Sequence, residues 1–194
     1  MFFVMELYRS TFLLACLAAS AIILLVCPTG ALAGCCCPTF WTAFDHHCYR
    51  FFSQNSTWNE AERFCQSYTV PSLSGEATSP DTMAHLVSIH SQPEQNFINI
   101  LYESSRRKSS DSLDLHGGLW LGLHDRLMEG DFVWSDGTPM DFHAWAPGQP
   151  DSSTRDSNCG VVRSSTHTGL WRDGPCIQPP TGIIHYFICK LPMW

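Results

Sequence analysis

Cysteine supplies the most prominent chemistry in this sequence. The chain has 194 residues and ten cysteines, and a small protein this rich in cysteine usually forms disulfide bonds in an oxidising compartment. The patterns H-E-x-x-H, G-x-S-x-G and C-x-x-C do not occur in it, so zinc-dependent and serine-dependent hydrolysis lack their minimal spacing. The sequence therefore predicts a disulfide-bonded protein that is not an enzyme.

Composition narrows the class of protein further. The formal net charge is −7, which disfavours nucleic acid as a partner because such binding needs a basic face. Seven Trp and twelve Phe supply more apolar surface than a disordered chain contains. The length suits one ordinary domain with an additional segment.

That additional segment lies at the N-terminus. Arg9 precedes an apolar run over residues 11–26, and Ala31-Leu32-Ala33 forms a small-residue cleavage site. This arrangement is typical of a secretory signal peptide, so we expect residues 1–33 to be removed and residues 34–194 to be secreted without membrane attachment. An uncleaved signal anchor is the alternative, because the apolar run approaches the roughly 17–25 residues that span a bilayer.

The mature chain contains helix signals first and strand signals later. Thr57 with Glu60, and Ser91 with Glu94, form two capping boxes that each predict a helix start. Short strands are expected at residues 41–52, 85–89, 119–123, 132–134, 169–171 and 185–189, with a long irregular loop over residues 146–158. This order predicts a single α+β domain.

A set of landmarks in fixed order runs through residues 37–191. It comprises six cysteines, Trp120-Leu121-Gly122-Leu123 at the place of a W-I-G-L motif, Gln149-Pro150-Asp151, and Trp171-Arg172-Asp173 at the place of a W-N-D motif. Together they resemble the C-type lectin-like domain family, and small secreted invertebrate lectins in particular. The resemblance implies a single domain with two helices, short antiparallel strands and a long irregular ligand loop.

The resemblance also implies the disulfide pairing, which would be Cys37–Cys48, Cys65–Cys189 and Cys159–Cys176. Cys35 and Cys36 remain outside these pairs. Neighbouring Cα atoms lie about 3.8 Å apart, whereas disulfides usually join Cα atoms about 4.4–6.8 Å apart. We therefore expect Cys35 and Cys36 to form interchain bonds in a disulfide-linked homo-oligomer, with capped or variably oxidised thiols as the alternative.

In the family, a calcium ion bridges the protein and two sugar hydroxyls, a role that suits its flexible shell of 6–8 oxygen ligands. The resemblance assigns Gln149, Asp151 and Asp173 to this site. The Gln-Pro-Asp order resembles the galactose-type motif, so the implied partners are galactose-like glycans. Asp156 is a further candidate ligand, because the position that usually holds Glu is Ser157 in this sequence.

Two substitutions leave calcium binding open. Ser157 lacks the charge of the usual Glu, and Arg172, in place of Asn, offers no acceptor. Arg172 either points to solvent or pairs with Asp151 or Asp173 and replaces the ion. An auxiliary calcium site is partly matched by Asp125 and Glu129, although Ser152 and Asn158 stand where acids are expected. The alternative role for this segment is turn formation around Gly130.

Two hypotheses for function follow. The first is a secreted galactose-type lectin that recognises galactose-like sugars through calcium. The second is a calcium-independent C-type lectin-like module that binds protein or belongs to an extracellular matrix. Asn55 begins the sequon Asn55-Ser56-Thr57 and is a candidate for glycosylation.

Overall fold

The computed structural model describes residues 37–70, 83–105, 118–151, 156–163, 169–177 and 185–193. The expected signal peptide, with Cys35 and Cys36, lies outside these ranges. The elements in chain order are β1 Thr42–Phe44, β2 His47–Phe52, α1 Trp58–Gln66, β3 His85–Leu86, α2 Gln92–Ser105, β4 Gly118–His124, β5 Val133–Trp134, β6 Cys159–Arg163, β7 Trp171–Gly174 and β8 His185–Pro192.

Residues 41–52 form a hairpin, where the sequence predicted one strand. Asp45 and His46 have φ values of 39° and 62° and join β1 to β2. A two-residue hairpin loop of type I′ has positive φ at both central positions. The continuous run of aromatic residues concealed this turn, because neither glycine nor proline marks it.

The strands form one mixed sheet in the order β1-β2-β8-β4-β6-β7, with β3 on β8 and β5 on β4. The sheet pairs are antiparallel except β4 with β8, which run parallel. The fold class is therefore the expected α+β domain with two helices, and the parallel pair adds to the antiparallel strands that the resemblance implied.

Helix α1 begins at the first capping box. The Glu60 backbone N–H donates to Thr57 Oγ1 at 3.3 Å, and the Thr57 N–H donates to Glu60 Oε2 at 2.9 Å. These bonds satisfy backbone donors that the helix itself cannot satisfy. The helix then turns Trp58, Ala61 and Cys65 toward the core.

Helix α2 has only half of the second capping box. Ser91 Oγ accepts from the Glu94 N–H at 3.2 Å, as predicted. The Glu94 carboxylate accepts instead from the His90 N–H at 2.8 Å and from Lys190 Nζ at 2.7 Å. The Glu94 carboxylate, which the local pattern assigned to the helix cap, therefore pairs with Lys190 on β8 instead.

Strand β4 divides the core into two apolar clusters. Trp120 packs in the cluster that contains α1, while Leu119, Leu121 and Leu123 pack in the cluster that contains α2. This division follows from the alternation of side chains along a strand. Gly122 is required here, because a Cβ at this position would lie 2.6 Å from the Leu86 carbonyl oxygen.

Three disulfides link the ends of these elements. They join Cys37 to Cys48, Cys65 to Cys189 and Cys159 to Cys176, with Cα–Cα distances of 5.5, 5.4 and 5.1 Å. The pairing that the resemblance implied is confirmed. Within the described ranges, no helix has the length and hydropathy needed to cross a membrane.

Candidate functional site

The site begins in the loop that precedes β6, beside strand β7. The Trp171 N–H donates to the Ala144 carbonyl at 2.8 Å, and the Ala146 N–H donates to the Trp171 carbonyl at 2.9 Å. The Trp145 ring also packs edge-on against Trp171, with 5.8 Å between centroids. These contacts hold the loop against the strand that carries Asp173.

The Gln149–Pro150 peptide bond is cis. Such bonds are uncommon and place the residues on either side of proline in a tight turn. Gln149 and Asp151 flank this turn, as the family motif implied.

Three predicted site residues converge at this point. The Asp173 N–H donates to Gln149 Oε1 at 3.2 Å, and the Asp151 N–H donates to Asp173 Oδ1 at 3.1 Å. Gln149 Nε2 lies 3.4 Å from Asp151 Oδ2. Asp173 is buried, whereas Asp151 is exposed. The arrangement gathers one amide and two carboxylates at the surface.

The two departures from the family pattern border this group. Ser157 is buried, and Arg172 is half-buried on β7 between Trp171 and Asp173. Arg172 directly precedes Asp173 in the sequence, and its pairing with Asp151 or Asp173 in place of the ion stays a prediction.

The oxygen atoms at this site are of the kind that calcium prefers, but they are few. Calcium prefers carboxylate and amide oxygens and takes 6–8 of them, and Gln149, Asp151 and Asp173 offer this type of oxygen. Among the described residues, no group of three or more His, Cys, Asp or Glu side chains could hold a metal ion. Water and ligand oxygens would have to complete the shell around Gln149, Asp151 and Asp173.

The segment after β4 holds the candidate auxiliary site. Asp125 Oδ2 accepts from the Gly130 N–H at 2.8 Å, and Gly130 has a φ of 81°, so the carboxylate does form the turn. The other oxygen, Oδ1, is buried and has no hydrogen-bond partner among the described residues. Glu129 is exposed, and Ser152 lies outside the described ranges.

Asn55 combines a sequon with a structural contact. Its side chain is exposed, and its Oδ1 accepts from the His185 N–H at the start of β8 at 3.1 Å. The amide nitrogen, where a glycan would attach, faces no partner in these contacts. Thr57, the third residue of the sequon, caps α1.

A cavity beside the site was not predicted from the sequence. It has a volume of about 460 Å³ and is lined by Arg126, Asp156, Asn158, Pro175, Cys176 and Ile177. These residues come from three separate segments, so no local sequence pattern could have revealed it. It brings Asp156 beside a cation rather than into contact with Gln149.

Comparison with known proteins places this geometry in a family. Residues 54–191 match the model of the lectin C-type domain. The chain is 46% identical to echinoidin from Heliocidaris crassispina over 82% of its own length and 99% of the relative. It is 31% identical to the alpha-N-acetylgalactosamine-specific lectin of Patiria pectinifera, over 78% of this chain and 77% of that one.

Solved structures give the same result. The C-type lectin CEL-I from Cucumaria echinata superposes with a TM-score of 0.64 and 33% identity, over 81% of this chain and 99% of that one. A calcium-independent type II antifreeze protein superposes with a TM-score of 0.61 and 26% identity, over 86% and 100%. C-type lectins are a non-enzymatic family, which agrees with the expectation drawn from the missing catalytic motifs. The chain belongs to the C-type lectin domain family.

Proposed function

We propose that this protein is a secreted carbohydrate-binding lectin that recognises galactose-type sugars with the help of weakly bound calcium. The observation that carries the proposal is the convergence of Gln149, Asp151 and Asp173 around a cis proline. Secretion rests on the signal-peptide pattern of residues 1–33 and on the three disulfides.

The three side chains suit a pair of neighbouring sugar hydroxyls. A carboxylate accepts hydrogen bonds only, whereas an amide also donates them. Gln149 and Asp151 therefore present donor and acceptor in a fixed order across the proline, and this order selects the orientation of the hydroxyl pair. Bound calcium would supply direct coordination of both hydroxyls and would be held by Gln149, Asp151 and Asp173.

Relatives support the sugar class. A lectin specific for alpha-N-acetylgalactosamine is among the similar proteins, and galactose-type specificity agrees with the Gln-Pro-Asp order. The acidic net charge of −7 is compatible with a neutral sugar as ligand.

Affinity chromatography tests this proposal. We expect the mature protein to be retained on immobilised galactose in the presence of millimolar calcium, and to elute with EDTA or free galactose. A mannose resin is the control and should retain less protein. Gln149→Ala should abolish retention on galactose while leaving the melting temperature unchanged. Flow-through of the native protein on galactose at high calcium would contradict the proposal.

A second candidate function is a calcium-independent module that binds protein or matrix. Ser157 and Arg172 favour it, because they remove one carboxylate and add one positive charge at the site. The structural similarity to a calcium-independent antifreeze protein shows that this fold also occurs without the ion. Unchanged galactose retention in EDTA would indicate a calcium-free sugar site. Absence of any sugar binding would favour the protein-binding module.

A further inference from the structure

We infer that the cavity beside the sugar site binds an oxyanion carried by the glycan, either a sulfate ester or a carboxylate, through Arg126. The inference rests on the proposed sugar-binding function and adds a preference for acidic galactose-type glycans. The cavity of about 460 Å³ is lined by Arg126, Asp156, Asn158, Pro175, Cys176 and Ile177.

The Arg126 guanidinium is held in place before any ligand arrives. Its Nη1 donates to Asn59 Oδ1 at 2.7 Å, and its Cζ lies 5.6 Å from the centre of the Trp58 ring. Both partners belong to α1, which the capping box fixes at its first turn. A pre-positioned side chain loses less conformational entropy when it binds a ligand.

Among the described residues, the contacts of Arg126 leave its positive charge without a counter-charge. Over the part of the chain that the structure describes, no carboxylate forms an ion pair with Arg126. Its contacts to Asn59 and Trp58 involve a neutral amide and an aromatic face. A guanidinium has five N–H donors, so donors remain for a planar or tetrahedral oxyanion, which this group binds bidentately.

The cavity adjoins the sugar site along two connections. Pro175 follows Asp173 by two residues in the β7 direction, a rise of roughly 7 Å for extended chain. Asp156 in the cavity wall directly precedes Ser157 and is two residues from Asn158. The cavity wall therefore begins within about 7 Å of Asp173, a distance that an outer substituent or a neighbouring sugar residue can cover.

The remaining lining is consistent with a substituent on a sugar. Pro175, Ile177 and the Cys159–Cys176 disulfide provide apolar surface, which can contact the C–H face of a sugar ring. Ile177 is 66% exposed and offers part of that apolar surface. Asp156 is the one acid in the wall, so it opposes the anion.

Titration calorimetry with matched sugars tests the inference. The probes are lactose, lactose sulfated at O6 of its galactose, and lactobionate, whose carboxylate lies on the residue next to galactose. We expect at least one anionic probe to bind the native protein about tenfold tighter than lactose. This advantage should shrink as sodium chloride is raised, because salt screens exposed charges. The sulfate and carboxylate probes identify which oxyanion fits.

Variants separate this inference from the proposed function. Arg126→Gln should remove the advantage of the anionic probe and leave lactose binding unchanged, whereas Arg63→Gln, an exposed arginine on α1, should keep both. Asp156→Asn should increase the advantage.

Lactose binding with no anion preference, or a preference that survives Arg126→Gln, overturns the inference alone. Failure of every probe to bind overturns the proposed function and the inference with it. An anionic probe that binds through Arg126 without any lactose binding supports the anion site and overturns the galactose assignment.

Discussion

Two residues change the charge of the proposed sugar site from that of the family pattern. Gln149, Asp151 and Asp173 converge as the family motif implies, but Ser157 and Arg172 replace a carboxylate and an amide with a hydroxyl and a cation. Two unit charges about 4 Å apart interact by about 4 kcal/mol at an effective dielectric of about 20. A nearby guanidinium therefore lowers the affinity of a divalent cation strongly.

The first prediction concerns calcium affinity. We expect the native protein to bind calcium no tighter than about millimolar, within the range of extracellular calcium modules. Arg172→Asn combined with Ser157→Glu should tighten binding at least tenfold, because the change removes a cation and restores two oxygen ligands. Isothermal titration measures both proteins, and Arg63→Asn controls for the loss of one distant charge. Micromolar affinity in the native protein, or no gain in the double variant, contradicts this account.

The second prediction concerns sugar specificity. Gln149→Glu together with Asp151→Asn reverses the order of donor and acceptor across the cis proline, so preference should move from galactose toward mannose. The three residues that follow Asp151 in the sequence, Ser152-Ser153-Thr154, supply no aromatic ring for stacking on the sugar, so monosaccharide affinity should be about millimolar, or roughly 4 kcal/mol. A glycan array compares the two proteins. A native preference for mannose would falsify the galactose assignment.

At the scale of elements, the local sequence predicted where helices begin better than it predicted where strands end and which side chains pair. The T-x-x-E pattern identified the first turn of α1, because capping depends on residues close in sequence. The turn at Asp45 and His46 was missed, because an aromatic run reads as one strand. The half-formed box at Ser91 was also missed in part, since Lys190 lies 96 residues from Glu94 and no local pattern includes it.

The candidate site likewise contains residues that the local sequence identified and a residue that it did not. The family motif named Gln149, Asp151 and Asp173, which the structure brings together, because each lies within a short recognisable sequence; their role in binding stays a prediction. Arg126 was overlooked because its significance depends on Asn59 and on a cavity wall from two other segments. Only the folded chain brings these residues together.

The third prediction concerns the network that joins α2 to β8. Glu94 accepts from Tyr49 Oη at 2.6 Å and from Lys190 Nζ at 2.7 Å, and all three side chains are buried. Glu94→Gln leaves the Lys190 ammonium buried without its counter-charge, a change that typically costs about 3 kcal/mol or more. Urea unfolding at pH 7 measures the loss, and Asp131→Asn, an exposed carboxylate, is the control.

The contribution of Glu94 to the free energy of unfolding depends on pH in a defined direction. Burial opposes ionisation of Glu94, but the Lys190 charge and the hydrogen bonds from Lys190, Tyr49 and His90 lower its pKa below the ordinary value. A group whose pKa is lower in the folded state stabilises the fold above its unfolded pKa, about 4.3. The difference between native and Glu94→Gln protein should be constant from pH 6 to 8 and shrink below about pH 4. A difference that grows with acid would contradict the pairing.

At the scale of the whole molecule, disulfides connect distant parts of the chain. Cys65 on α1 and Cys189 on β8 are 124 residues apart, whereas Cys159 and Cys176 are 17 apart. In the chain-entropy description, loops of these sizes correspond to about 4–5 and about 3 kcal/mol. The longer link therefore constrains the unfolded chain more.

The fourth prediction follows from this difference. Replacing Cys65 and Cys189 with Ala should lower the free energy of unfolding by more than replacing Cys159 and Cys176. The cost should also include a packing loss, because Cys65 and Cys189 are both fully buried. Urea denaturation of the two double variants gives the comparison. Equal or reversed losses would show that strain or residual structure outweighs loop length.

The last prediction concerns assembly through Cys35 and Cys36. Both lie outside the three observed pairs and precede the first of them, so we propose that they bond a second chain. We expect a disulfide-linked dimer or larger species on a gel without reductant, and monomers with an unchanged melting temperature after Cys35→Ser with Cys36→Ser.

Assembly of this kind bears directly on sugar binding. Each site is expected to hold a monosaccharide at about millimolar affinity, which is too weak to retain a single domain on a sparse surface. Linking sites makes the second binding event intramolecular and can raise avidity 10²–10⁴-fold without any new contact. The double serine variant should therefore keep its affinity for free galactose and lose retention on a galactose surface of low density. Monomer alone on the non-reducing gel, or retention that is equal for both proteins, would show that the cysteines do not supply the avidity.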